Sequence, residues 1–343
     1  MNGRRSVELA IMRGGTSRGP VLGLDSAPPA GPDRDALARS LIGSNPVDGL
    51  GGGTPITSKV VLVGRSAADG VDLDYIVGNL DPAGDAVDWA GTCGNMTASV
   101  VPYAHLAGLV DRDEDRTGFR LRNLATDGLI DITVGTPDLL DSPGEEVALT
   151  TSYLDPGGAV LDETLPTGKP QDVLDVDGER FDCTLIDVTH PYLLLRYEQV
   201  VGSADVDDPA IVARIERIRA TMCVTLGLSA NVDEARRVSP AVPRAILVHP
   251  DHEPDTDLRI TAVSMGQPIR SVPVTAAMSL AAAYGMDGTL VYDEKGTPGD
   301  GIRISGPAAS IRGQATVDGS GRVVSAAVDR TARCLMLGAV WVR

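Results

Sequence analysis

The segment PVTAAMSLAAAYGM, residues 273–286, reads as an apolar helix that falls where GTCGNMTASVVPYA, residues 91–104, fell earlier in the chain. Met278 takes the place of Met96, and the elements before each segment recur in the same order. VPRAILVHP (242–250) matches TSKVVLVG (57–64), and DLRITAVSM (257–265) matches DLDYIVGNL (72–80). Upstream of these, FDCTLIDVTHPYLLLR (181–196) gives strand, turn and strand, as VELAIM, RGGTSRG and PVLGL do over 7–24. A helical pattern follows in each half. One is RDALARSLIG, with Leu37 and Leu41 one turn apart; the other is DPAIVARIERIRATMCVTLGL, with Ile211, Ile215 and Ile218 on one face. Short strands close both halves: GFRLRNLA and LIDITVG in the first, GIRISGPAASIRGQATV in the second. Five elements recurring in order mark an internal duplication. Strand-rich halves, each with one strongly apolar helix, predict α+β domains spanning 1–178 and 179–343, the last strand returning to the first domain.

The reading of residues 95–109 is one helix with Met96, Val100 and Ala104 on one face, kinked or ended at Pro102. Helix N-termini at Gly94 and Ala276 would face a cleft between the domains from opposite sides and offer N–H groups to an anion.

Composition narrows the function. Hydrophobic residues make up 43% of the 343, yet aromatics only 3%, so the cores are aliphatic. A net charge of −17 argues against nucleic acid or an anionic membrane as partner. It leaves room for an anionic small molecule in a locally positive pocket. No window has the length of a signal peptide's apolar region or a membrane span, which sets the expectation of a cytoplasmic protein. The four cysteines (93, 183, 223 and 334) contain no CxxC pair. The four histidines form no metal-binding cluster, so neither a disulfide framework nor a metal is expected. His249 and His252, in VHPDHEPDTD, read as solvated loop residues.

Cys93 lies between Gly91 and Gly94 at the opening of the helix pattern, where a thiolate is favoured. The competing reading, a buried inert thiol, is the better one for Cys183, Cys223 and Cys334, which sit in apolar patterns. Lys59 follows the loop GGGTPITS and opens the buried strand VVLVG, a place suited either to a desolvated base or to a lysine reaching solvent. GLGGGTPITSK lacks P-loop spacing and MRGGTSRG lacks GxGxxG, so both loops read as carboxylate cradles.

Together MRGGTSRG (12–19), GGGTPITSKVVLV (51–63), GTCGN (91–95), LPTGK (165–169) and DRTARCLMLGAVWV (329–342) resemble the 2-methylaconitate cis-trans isomerase (PrpF-type) family. Methylitaconate delta-isomerase and 4-oxalomesaconate tautomerase belong to the same family. The match runs nearly end to end, and the 34-residue separation of Lys59 and Cys93 fits it. The resemblance implies a diaminopimelate-epimerase-like fold with two pseudo-symmetric domains, each a strongly curved sheet around a central helix, and an active site in the cleft between them. It also implies a proton shift on unsaturated di- or tricarboxylic acids without a cofactor. Lys59 and Cys93 would be the acid/base pair. Gly15, Thr16, Ser17, Arg18, Ser58, Gly94, Asn95 and Met96 would line the substrate carboxylate sites, with Arg270 and Thr275 from the second half. A small anionic polycarboxylate is the expected partner, and a homodimer the assembly carried as an expectation.

Three positions depart from the pattern. The counterpart of Cys93 is Thr275, which disfavours a two-thiol amino-acid epimerase of this fold. Ile269 stands where family members often carry histidine, and His190 where asparagine is expected. A carboxylate-binding protein without turnover is the non-enzymatic alternative; a pure binder has no need of the thiol.

Overall fold

The computed structural model describes residues 5–43, 47–81, 86–91, 93–111, 113, 115–294 and 301–342. Its chain divides into two compact units, Met1–Tyr153 with Asp329–Arg343, and Leu154–Val328.

In the first unit the strands are β1 (Arg5–Gly14), β2 (Ser17–Gly23), β3 (Lys59–Arg65), β4 (Leu73–Leu80), β5 (Val87–Asp88), β6 (Gly118–Asn123), β7 (Leu129–Val134) and β8 (Val147–Leu154). The helices are α1 (Pro32–Ile42), α2 (Gly94–Thr97) and α3 (Val100–Leu106). β1 pairs antiparallel with β2, β2 parallel with β3, β3 antiparallel with β4, and β4 parallel with β6. β6, β7 and β8 follow antiparallel. The chain's final strand, Val323–Val342, pairs with both β8 and β1, which closes the ring into a barrel.

The period-2 alternation of these strands explains the two layers. Ala10, Met12, Val21, Val61, Val63, Tyr75 and Val77 point inward and pack on Met96, Val100, Val101 and Ala104 of α2 and α3, which fill the barrel. The alternate residues, Leu9, Ile11, Leu22, Leu62 and Ile76, pack outward against Leu37, Ala38, Leu41 and Ile42 of α1. With so few aromatics, aliphatic residues and Ala do most of this filling, and many of them are wholly buried.

The single helix expected over 95–109 is instead two pieces, α2 and α3, separated by Ala98 and Ser99. Pro102 supplies the reason. Its ring excludes the carbonyl four residues back and it has no N–H, so the ladder breaks ahead of it and Pro102 becomes the third residue of α3, where the missing N–H costs nothing.

The second unit repeats the scheme. Its strands are β9 (Asp172–Val176), β10 (Glu179–Asp187), β11 (Pro191–Arg196), β12 (Arg244–Val248), β13 (Leu258–Ser264), β14 (Gln267–Ile269), β15 (Ile302–Ser305) and β16 (Ser310–Val317); the final strand is β17. From β10 to β17 the pairings run antiparallel, parallel, antiparallel, parallel, antiparallel, antiparallel. That is the order from β1 through β8, and β14 hangs on β13 as β5 hangs on β4. The helices are α4 (Tyr197–Val200), α5 (Pro209–Thr225), α6 (Val232–Val238) and α7 (Val274–Tyr284). Asp208 caps α5 by accepting from Ala210 N at 2.8 Å, with Pro209 in the first helical position. α7 is buried on every side from Ala276 to Ala283.

The second unit begins at Leu154, because β9 pairs with β10, and Val323–Val328 of β17 pairs with β16. The remainder of β17 pairs with β1 in the first unit. Among the described residues no helix is long and apolar enough to cross a membrane.

Candidate active site

Register places several polar residues on one rim of the first unit's barrel. Ser17 opens β2, Lys59 opens β3, Asn79 lies opposite Lys59 near the end of β4, and Tyr153 lies opposite Ile130 near the end of β8. Lys59 alternates with Val60 and shares the inward face of Val61 and Val63, as Asn79 shares that of Val77. Lys59 Nζ donates to Asn79 Oδ1 at 2.7 Å. The amide of Asn79 in turn abuts the cysteine segment, since a Cβ on Gly91 would lie 3.0 Å from its Nδ2. That segment is fixed on its other side by Asp88, whose Oδ1 accepts from Ala90 N and Gly91 N, and by Trp89, whose Nε1 donates to Asp35.

Cys93 is the N-cap of α2 and, alone among the four cysteines, is partly exposed. Cys183, Cys223 and Cys334 are buried, as their apolar patterns suggested. The Cys93 carbonyl accepts from Thr97 N at 3.0 Å and Thr97 Oγ1 at 3.1 Å, leaving the side chain as its adaptable part. Thr92, within the same motif, lies outside the described residues.

The turn between β1 and β2 interlocks with the start of α2. Asn95 Nδ2 donates to Thr16 Oγ1 at 3.0 Å and to Ser17 Oγ at 3.4 Å. Gly15 adopts φ +50°, and a Cβ there would stand 2.4 Å from Asn95 Oδ1; one on Gly14 would stand 2.2 Å from the Asn95 carbonyl oxygen. Glycines at these two positions therefore let the turn and α2 touch.

The remaining candidates divide. Met96 is fully buried in the barrel core, so its side chain fills the core and does not line a ligand site. Ser58 is buried; its carbonyl accepts from Leu80 N and its hydroxyl has no partner among the described residues. Arg18 falls on the α1-facing side of β2, opposite Ser17, with its guanidinium against Gly52. Alternation separates it from Lys59.

In the second unit Thr275, the sequence counterpart of Cys93, lies inside the first turn of α7, whose N-cap is Pro273, whereas Cys93 is itself the N-cap of α2. Ser279 Oγ donates to the Thr275 carbonyl at 3.0 Å, repeating the tie of Thr97 to Cys93, and Thr275 Oγ1 bonds the Tyr192 hydroxyl at 2.7 Å. Arg244 opens β12 as Lys59 opens β3. A threonine and an arginine hold no exchangeable acid/base pair near neutral pH. Arg270 is exposed, and its carbonyl accepts from Ala308 N. Burial, with Arg244 nearby, pushes the His190 imidazole down to about 4, and its Nε2 lies 2.8 Å from the Ala241 carbonyl oxygen. His190 is therefore a neutral structural group. His249 departs from the solvated-loop reading: its N–H extends the β12 ladder to Arg259, its ring stacks on Tyr197 at 4.0 Å, and burial lowers its proton affinity.

Two rim residues were not singled out in the sequence. Tyr153, pushed up to about 12 chiefly by burial, bonds Thr97 and lies within electrostatic reach of Cys93 and Arg330. Arg330 shares the inward face of β17 with Ala332 and Cys334, a cation on an otherwise apolar stripe, and that is the available signal. Among the described residues no group of His, Cys, Asp and Glu forms a metal-binding cluster.

The family model described as PrpF protein matches residues 4–343. The 2-methyl-aconitate isomerase of Shewanella oneidensis is 32% identical, over 97% of this chain and 96% of its own. The solved structure of a methylitaconate-delta-isomerase superposes with a TM-score of 0.87 at 29% identity, covering 99% of this chain and 96% of that one. A probable proline racemase from Agrobacterium radiobacter, 16% identical, shares the fold with a TM-score of 0.54 over 98% of this chain and 93% of its own.

Proposed function

Because the chain belongs to the PrpF family and is an isomerase of diaminopimelate-epimerase-like fold, we propose that it moves a proton across an allylic unit of an unsaturated di- or tricarboxylic acid, without a cofactor. Acids of the 2-methylaconitate, methylitaconate or 4-oxalomesaconate type are the substrate class. The observation that carries this reading is the Lys59–Asn79 contact, which ties Lys59 to an amide that itself abuts the segment presenting the partly exposed Cys93.

Lys59 removes a proton from the allylic carbon of the conjugated acid. The electron pair of that C–H bond shifts through the double bond toward the carboxylate and gives a dienolate. Cys93 assists, or delivers a proton to the distal carbon, so the double bond moves by one position. Where Cys93 donates, each turnover transfers one proton to Lys59 and one from Cys93, and proton exchange with solvent or between the two resets the pair. Where it assists, protonated Lys59 returns its own proton to the distal carbon and the pair is unchanged. Thr16, Ser17 and Asn95 supply hydroxyl and amide groups for the carboxylates, and their mutual bonds pre-set those groups before substrate arrives.

The amino-acid epimerase reading is disfavoured. Thr275 stands where a second thiol would be needed. The test is proton NMR of candidate acids in heavy water. Lys59→Met lowers both deuterium entry at the allylic carbon and product formation by about 10²- to 10⁴-fold. Full turnover in that variant overturns Lys59 as the base.

A further inference from the structure

Arg330 is a cation without a counter-ion among the described residues. Its Nη1 donates to the Asp329 carbonyl at 3.1 Å, its Nε is buried without a partner, and among the described residues it forms no ion pair. The adjacent Asp329 carboxylate is engaged elsewhere, accepting from Thr150 Oγ1 at 2.9 Å. Burial is the main influence on the guanidinium and acts against its charge; Tyr153, Asp329 and Cys93 act weakly in its favour. Tyr153 is itself held neutral by burial, so it does not serve as counter-ion.

Arg330 is nevertheless tightly placed. Gly15 N donates to the carbonyl of the next residue, Thr331, at 2.8 Å, and a Cβ on Gly15 would lie 3.3 Å from Arg330 Cδ and 2.4 Å from Asn95 Oδ1. The guanidinium stem therefore passes the same turn that Asn95 holds. A half-buried arginine with four unpartnered N–H groups, fixed beside a thiol and a hydroxyl-rich turn, is costly unless an anion arrives. Lysine would offer a point charge there, whereas arginine offers a planar fork that fits a carboxylate.

We propose that Arg330 binds one carboxylate of the substrate, fixing the acid beside Cys93 through its terminal nitrogens. The assignment rests on the isomerase reading for its substrate class, but its test does not depend on turnover. Tricarballylate, a saturated tricarboxylate that cannot undergo an allylic shift, serves as the probe in calorimetric titrations. Arg330→Gln weakens its binding by about 10- to 100-fold, the scale of a lost charged hydrogen bond. Arg330→Lys recovers part of the loss, and added methylguanidine restores part of it to Arg330→Ala.

Unchanged affinity in Arg330→Gln overturns the proposal. So does weaker binding accompanied by a lowered melting temperature, with no recovery by lysine or methylguanidine, because a purely structural arginine gives that result. Lys59→Met retains tricarballylate binding. A loss of the isomerase reading would appear in the isotope-exchange experiment while this binding result stood.

Discussion

Replacing Gly14 by alanine tests whether the placement of α2 governs the chemistry. Gly14 does not have positive φ, so alanine meets no backbone strain of its own. Its Cβ, however, would sit 2.2 Å from the Asn95 carbonyl oxygen, 3.1 Å from that carbonyl carbon and 3.3 Å from Met96 Cα. All three are backbone atoms, and no flexible side-chain end can yield. Restoring an ordinary contact of at least 3.4 Å requires the start of α2 to retreat by about 1.2 Å or more, carrying Cys93 with it. A displacement of that size at a reacting group costs about 10²-fold, or about 2.7 kcal/mol of barrier. Overpacking adds a stability loss of about 1–3 kcal/mol. The control is Gly118→Ala on β6, where a Cβ meets nothing within 4 Å and φ is again not positive. Gly118→Ala leaves both quantities nearly unchanged. The assay is kcat/KM for isomerisation, with heavy-water exchange and thermal melts of both variants. A Gly14→Ala protein as active and as stable as Gly118→Ala refutes the claim that α2 must touch β1 for the site to work.

Asn79→Ala removes the acceptor that aims Lys59, and kcat falls by about 10- to 100-fold while the fold persists, measured by steady-state rates and circular dichroism. Between pH 6.5 and about 4 the unfolded chain protonates His190 and the folded chain does not. Stability therefore drops as pH falls through that window, by up to about 3 kcal/mol. Urea melts at both ends of the window show this slope, and His190→Gln flattens it. Arg219→Met strands Glu216 and the carbonyls of Ser239 and Val242 that this buried guanidinium serves, lowering stability by about 3–5 kcal/mol without changing the heavy-water exchange of the folded fraction.

The duplication was legible because hydrophobic alternation and loop punctuation survive in both halves even where identities do not. Lys59 and Cys93 stood out because a lysine at a buried strand's mouth and a cysteine between glycines are locally unusual. Other features depend on pairing that no local pattern encodes. β8 and β9 lie in segments rich in charged and turn residues, and only their partners across the barrel define them. Arg18 looked equivalent to Ser17 in the motif, yet the period of two sends adjacent residues to opposite faces. Met96 likewise belongs to the helix side that fills the barrel. Little in the local pattern marks Arg330 within its motif, because its significance lies in having no counter-ion among the described residues, and that becomes visible only when its surroundings are assembled.

The matched ties from Thr97 to the Cys93 carbonyl and from Ser279 to the Thr275 carbonyl give the molecule its own reference compound. Both carbonyls are held by a hydroxyl four residues on, but Cys93 caps α2 from outside in extended backbone, whereas Thr275 lies within the first turn of α7. A thiol installed by Thr275→Cys would sit in the first turn of α7, on a barrel whose own strand opening carries Arg244 in place of Lys59. Comparing its alkylation rate with that of Cys93, in a single polypeptide and a single solution, measures what the Cys93 setting as a whole, cap geometry and neighbours together, adds to a thiol at the start of a helix.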